Sequence, residues 1–179
     1  MIFLDYNSIS SNKSEEEKEL EELLKTCRLA AMKYVAGRHR STGQLRRKLA
    51  ESEQDFSDDI IEMTISSVEK DGYLSDQELA NSILQERRGR KAESKLALRM
   101  RLERFGIKPP IIYAVLEDHV ADQTLLSEFL EEKQYKLINE YQNTDDFEAR
   151  NKLLAKIMRS AGSRGFAEHL VFSYIRDIQ

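Results

Sequence analysis

The stretch from Glu69 to Ala80 constrains the fold most, because it ends one helix and begins another within a few residues. Gly72 can adopt the left-handed backbone conformation that ends a helix without steric cost. Ser75 stands three residues before Glu78, which is the spacing of a capping box at a helix start. We expect the apolar pair 73–74 to pack this connection against the core. The pattern indicates a tight join between two similar helical units.

The rest of the chain repeats this pattern of amphipathic helix and stop. Seven Gly and two Pro in 179 residues suit helices joined by few irregular loops. Apolar side chains recur at helical spacing, for example at Ile60, Ile61, Ile65 and Val68, and no segment alternates as a half-buried strand does. The sequence therefore predicts an all-α fold.

Further helix boundaries follow from local signals. Ser41 and Gln44 form a second capping box, and Asp122 is expected to cap the helix that follows it. A helix expected from about Ala92 to Phe105 carries two apolar stripes, so we expect it to pack against neighbours on both. These stripes are Leu98, Leu102 and Phe105 on one side, and Leu96 and Met100 on the other.

The breaks between helices show internal self-similarity. Phe56, Ile107 and Phe166 each follow a stop, and apolar pairs come four and five residues later. Any amphipathic helix gives some matches of this kind, but the preceding stop and an upstream apolar residue recur as well. We predict an elongated array of three tandem three-helix repeats, resembling helix-turn-helix units. The predicted boundaries are a leader over 1–14 and repeats over 15–74, 75–120 and 121–179.

Cysteine content and hydropathy restrict the compartment. Cys27 is the single cysteine, so an internal disulfide is excluded, and its place on an apolar helix face indicates a buried small hydrophobe. The first residues lack the basic start and apolar run of a signal peptide, and no run of about 20 apolar residues could span a bilayer. We expect a cytoplasmic monomer without membrane contact.

Charge is distributed unevenly along the chain. Residues 86–108 hold nine basic and three acidic side chains, a formal charge of +6 in a chain whose total is −4. A second basic cluster lies within residues 36–50, which contain no acid. Such segments suit a surface that meets polyphosphate or an acidic partner, although surface helices are often Arg-rich and simply solvated. The predicted contact residues are Arg38, Arg40, Arg46, Arg47, Arg87, Arg88, Arg90, Lys91, Lys95, Arg99, Arg101 and Arg104.

Two motifs resemble the RecX family of recombinase regulators. They are the segment Arg38-His39-Arg40-Ser41 with 44–49 (Gln-Leu-Arg-Arg-Lys-Leu), and the segment 71–76 (Asp-Gly-Tyr-Leu-Ser-Asp) with Leu79-Ala80. The resemblance covers roughly 27–175 and includes the order of three tandem units. Ser75 replaces the family's acidic residue, Leu79 replaces an aromatic, and the break before Phe56 lacks the common Gly.

The resemblance implies a protein that binds RecA–DNA filaments in their helical groove. Such a protein would alter filament growth, ATP hydrolysis, strand exchange and co-protease activity, most simply as an inhibitor. DNA contact would come through the filament and in part directly.

Enzymatic chemistry is not indicated by any motif. His39, His119 and His169 are scattered without a ligand pattern, and the chain has no phosphate-binding G-x-x-x-x-G-K-[ST] loop. We therefore predict neither catalysis nor a cofactor. Two other function classes remain: a helix-turn-helix transcription factor, which would bind duplex DNA sequence-selectively without a recombinase, and a scaffold whose apolar face binds another helical protein.

Overall fold

The computed structural model describes residues 14–178, which form α-helices joined by short turns and contain no strand. The predicted all-α class is confirmed, while the leader lies almost entirely outside the described residues. The helices are α1 (Glu15–Val35), α2 (Thr42–Ala50), α3 (Asp58–Lys70), α4 (Asp76–Glu86), α5 (Lys95–Phe105), α6 (Pro109–Glu117), α7 (Asp122–Lys133), α8 (Tyr135–Gln142), α9 (Phe147–Gly162) and α10 (Glu168–Asp177), with a short 3-10 helix at Gly89–Lys91.

The chain forms two compact units, the first ending at Leu74 and the second beginning at Ser75. In the first unit, α1 packs on α2 and α3 around a buried core. Cys27 is fully buried in that core, and this burial raises the pKa of its thiol. Arg28 joins α1 to the end of α3 by donating to Ser67 and to the carboxylate of Asp71, at 2.6 and 2.5 Å.

The second unit has its own core, built from α4 to α10. The 3-10 helix lies on α7, and α5 packs on α6. Phe129 of α7 and Phe166, which precedes α10, are both buried in this core, with ring centroids 6.2 Å apart. The three-repeat arrangement and its boundaries stay a prediction.

Local signals place the helix ends as expected in most cases. Ser41 and Gln44 make both hydrogen bonds of a capping box. The capping box expected at Ser75 and Glu78 is only half formed: Ser75 accepts from the Glu78 amide, but the Glu78 side chain does not bond back to the Ser75 amide. Gly72 has a φ of +78° where α3 ends. Pro109 lies in the first turn of α6, where a missing amide donor costs nothing.

Two local predictions are wrong. Leu74 is buried but Tyr73 is exposed, so only half of the connection packs on the core. Asp122 does not cap its own helix, because Ala121 occupies that position; its carboxylate instead accepts from the Lys95 amide at the start of α5, at 2.7 Å. The helix after Asp122 breaks at Gln134 into α7 and α8.

The helix α5 also differs from expectation. It begins at Lys95 behind the N-cap Ser94 rather than near Ala92. In its inner stripe, Leu98 and Leu102 are buried and Phe105 is half-buried. Leu96 and Met100 of the other stripe are exposed. Only one of the two apolar stripes of α5 therefore packs on other helices. Helical periodicity shows which side chains share a face, but it does not show whether another element packs on that face.

Candidate functional site

The basic segment 86–108 spans the end of α4, the 3-10 helix and α5. Its basic side chains differ in what they contact: some pair with carboxylates of the chain, some donate to backbone carbonyls, and others are exposed to solvent. Arg90 and Lys91, both in the 3-10 helix, are exposed. Because the turn is short and lies on α7, it presents two adjacent cations on a fixed support.

Glu93 is the centre of the paired side chains. Its side chain is only 8% exposed, and Arg101 grips it with a two-pronged pair of hydrogen bonds, Nε to Oε2 at 2.9 Å and Nη2 to Oε1 at 2.6 Å. Arg87 and Arg164 also reach Oε1 of Glu93, each with Nη1 at 3.8 Å. Three guanidinium groups therefore surround one carboxylate, which leaves a local formal charge of +2.

Arg164 reaches this group from a turn far along the chain. The turn after α9 is fixed to the start of α5 because the Ser94 amide donates to the Arg164 carbonyl at 3.0 Å. Gly165 has a φ of +82°, and a Cβ there would lie 2.6 Å from the hydroxyl of Ser94, so glycine permits the close approach. The Arg164 guanidinium lies over the Phe129 ring, 5.6 Å from its centroid. Arg164 is thus brought to Glu93 by the packing of the turn after α9 on the start of α5.

Arg88 is held in a separate ion pair. It donates through Nε and Nη2 to Glu128 of α7, and the Gly89 amide donates to the same carboxylate at 3.0 Å. The hydrogen bonds from Arg88, with a smaller contribution from the Gly89 amide, lower the pKa of Glu128. The hydrogen bonds to Glu128 in turn raise the pKa of Arg88. Burial, followed by the nearby charges of Arg88 and Lys95, lowers the pKa of His119. The ion pair fixes the 3-10 helix on α7.

The remaining members of the segment are partly engaged. Lys95 donates from Nζ to the Leu116 carbonyl at 2.6 Å, so its ammonium group joins α5 to the end of α6. Arg99 pairs with Glu103 at 2.8 Å and lies 5.5 Å from the centroid of the exposed Tyr113 ring. Arg104 is exposed and donates to a backbone carbonyl of its own helix at 3.3 Å.

The cluster at residues 36–50 belongs to the first unit. Arg46 donates twice to Glu62 of α3, at 2.5 and 2.7 Å, although its own segment contains no acid. Arg40 is half-buried, with its guanidinium 4.6 Å from the Tyr34 ring centroid. Arg38 and Arg47 are exposed.

The structure therefore separates the twelve predicted contact residues by their surroundings. Arg46, Arg88, Arg99 and Arg101 each bind a carboxylate of the chain itself. The sequence analysis assigned no role to Glu93, the carboxylate that Arg87, Arg101 and Arg164 surround. It also did not predict Arg164 as a site residue. No local signal could have found Arg164, because it lies more than 60 positions after Arg101 in the chain.

Groups suited to other ligands are sparse in the described part of the chain. Within residues 14–178, no three His, Cys, Asp or Glu side chains are grouped so as to hold a metal ion. None of the described helices is both long and apolar enough to cross a bilayer.

Comparison with known proteins bears on the fold and the family. The chain is 26% identical over 145 residues to the regulatory protein RecX of Trichlorobacter lovleyi, a match that covers 81% of this chain and 90% of that protein. A comparison with models of protein families found no match. Among solved structures, RecX from Lactobacillus salivarius superposes with a TM-score of 0.70 at 19% identity, over 88% of this chain and 97% of that one.

The chain resembles the RecX proteins in sequence and has their fold. A second crystal structure of a regulatory protein RecX agrees, with a TM-score of 0.70 at 16% identity over 94% of this chain and 81% of that one. These matches confirm the family resemblance inferred from the two motifs, together with the all-α class. The RecX relative is named a regulatory protein.

Proposed function

We propose that this chain regulates a RecA-type recombinase by binding RecA–single-stranded DNA filaments in their helical groove. The observation that carries the proposal is the similarity to a regulatory protein RecX along four fifths of the chain, combined with the RecX fold. Binding would slow ATP hydrolysis and strand exchange and reduce co-protease activity. No bond is broken by the regulator itself.

Exposed cations would make the first contacts with the filament. Arg90 and Lys91 in the second unit, with Arg38 and Arg47 in the first, present positive charge to solvent. Arginine suits both acidic protein patches and phosphates, because its planar fork donates two parallel hydrogen bonds. A regulator that contacts successive protomers would hinder the movements between them that ATP turnover requires.

Paired arginines serve a different purpose in this proposal. Arg88 and Arg101 hold the 3-10 helix and the start of α5 in place through Glu128 and Glu93. Replacing Arg101 by Glu would set a second carboxylate against buried Glu93 and disturb folding. A charge reversal that tests filament binding must therefore use the exposed cations.

The test is a titration of the full chain into RecA filaments on single-stranded DNA, followed by ATPase rate and filament length. We expect the wild type to reduce both. Reversing both exposed cations of the 3-10 helix, with Arg90→Glu and Lys91→Glu, should raise the concentration needed for half the effect by roughly tenfold, because charged contacts dominate encounter and register.

The matched control reverses two exposed cations of α9, with Lys156→Glu and Arg159→Glu. This variant changes the net charge by as much as the Arg90→Glu and Lys91→Glu variant does. The concentration it needs for half the effect should stay near that of the wild type. An unchanged ATPase rate and filament length at saturating wild-type protein would refute the function. Equal losses in the two double variants would refute the assignment of Arg90 and Lys91.

A further inference from the structure

Arg87 and Arg164 lie beside Glu93 at ion-pair distance but do not donate hydrogen bonds to it. Arg101 already engages both oxygens of the Glu93 carboxylate. The Nη1 atoms of Arg87 and Arg164 lie 3.8 Å from Oε1, which is beyond hydrogen-bond distance. Within residues 14–178, the buried Nε of Arg87 also has no hydrogen-bond partner. Two guanidinium groups are thus held within ion-pair distance of a carboxylate to which neither donates a hydrogen bond.

The two groups are also held close to each other. Both Nη1 atoms approach the same oxygen of Glu93, so their separation is at most twice 3.8 Å. Arg87 comes from the end of α4, and Arg164 from the turn fixed to α5 by the Ser94 amide. Their side chains are 28% and 29% exposed, so part of each side chain meets solvent. Two guanidinium groups from separate parts of the second unit therefore point toward the same place, beside Oε1 of Glu93.

We propose that Arg87 and Arg164 form a binding site for one phosphodiester group of a nucleic-acid backbone. Each guanidinium would donate to one of the two non-bridging oxygens, and the local charge of +2 would offset that of the phosphate. The exposed Arg90 and Lys91 lie next along the chain and would contact the neighbouring phosphate.

A phosphate fits these residues better than a carboxylate does. The carboxylates of Glu62, Glu93 and Glu128 each accept a two-pronged pair of hydrogen bonds from one arginine. Two separate guanidinium groups instead match an anion whose oxygens point in different directions. Arg87 and Arg164, which make no such two-pronged pair with Glu93, therefore suit the separate oxygens of a phosphate backbone.

This inference rests on the proposed function, since it assigns a nucleic-acid contact to the same basic segment. The experiment measures the affinity of the full chain for a fluorescently labelled oligo-dT strand by anisotropy at several salt concentrations. Arg87→Gln and Arg164→Gln should each weaken binding about tenfold, the loss expected for one charge-assisted hydrogen bond. Each should also make the slope of log affinity against log salt shallower by about 0.7.

Two further variants separate this site from general charge. Arg164→Lys keeps the charge without the fork and should fall between the wild type and Arg164→Gln. Arg176→Gln removes an exposed cation of α10 and should leave both affinity and slope unchanged. Circular dichroism would verify that each variant keeps its helical content, and two independent glutamine variants guard against loss of folding in one.

Several results would overturn the proposal. These are wild-type affinity and slope in both glutamine variants, an equal loss in Arg176→Gln, or displacement of the strand by polyglutamate as readily as by unlabelled strand. Recombinase ATPase separates the two proposals. A wild-type chain that binds the strand through Arg87 and Arg164 but leaves ATPase unchanged would refute filament regulation while supporting the phosphate site.

Discussion

Replacing Glu93 by Gln tests whether the buried carboxylate is what holds the basic group together. The substitution keeps side-chain size and one acceptor oxygen but removes the negative charge that faces Arg87, Arg101 and Arg164. Local formal charge then rises from +2 to +3, and Arg101 keeps only one of its two hydrogen bonds to this residue. Destabilisation of the second unit is the expected result.

The size of the effect follows from the surroundings of the pair. Removing one partner of a buried ion pair costs about 3–5 kcal/mol, and one charge-assisted hydrogen bond contributes about 1.5–3 kcal/mol. Arg101 is 30% exposed, so water compensates part of the loss. We therefore expect unfolding free energy to fall by about 2–3 kcal/mol, which at a typical urea dependence lowers the midpoint by about 1 M.

Urea unfolding followed by far-ultraviolet circular dichroism would measure this change. If the two units unfold in separate transitions, only that of the second unit should move. Glu103→Gln is the matched control, because its carboxylate is 46% exposed and pairs with Arg99 one helical turn away. That variant should lose no more than about 0.5 kcal/mol. Equal midpoints for Glu93→Gln and Glu103→Gln would refute the structural role of Glu93.

Two other predictions concern pH and backbone geometry. The pKa of Glu128 is lowered from its ordinary value of 4.5, so the stability it contributes is full above that pH and is lost as pH falls through the lower folded value. The difference in urea midpoint between wild type and Glu128→Gln should accordingly shrink below pH 4.5; a constant difference would contradict this. Gly165→Ala places a Cβ 2.6 Å from the Ser94 hydroxyl at a residue with left-handed φ, and it should lower the free energy of unfolding by about 2–3 kcal/mol. At Gly72, whose φ is also left-handed, an added Cβ meets open space, so Gly72→Ala should lower it by about 1 kcal/mol. Equal thermal shifts in the two alanine variants would mean that the turn moves away from α5 without cost.

Helix ends were predictable where the deciding residues are close in sequence. The Ser41–Gln44 capping box, the N-cap Ser75 and the left-handed Gly72 all depend on groups within a few positions of one another. Such interactions form in any context that allows a helix, so residue type and spacing suffice to predict them.

Predictions failed where a distant group takes over a local role. Asp122 has the chemistry of a helix cap and does cap a helix, but the helix is α5, 27 positions earlier in the chain. Leu96 and Met100 have the spacing of a packed stripe and remain exposed. In both cases the residue type indicated which interaction a side chain could make. Only the packing of the helices decided whether it made that interaction, and with which partner.

The candidate site shows the same division. The sequence by itself determined that basic side chains are concentrated in 86–108, that the chain is helical, and that two motifs resemble those of RecX proteins. Tertiary structure decided which arginines are neutralised by Glu93 and Glu128, and it brought Arg164 beside Arg87. The physical reason is range: helix caps and turns act between neighbours along the chain, whereas an ion pair depends only on distance in space, which is fixed when the helices pack.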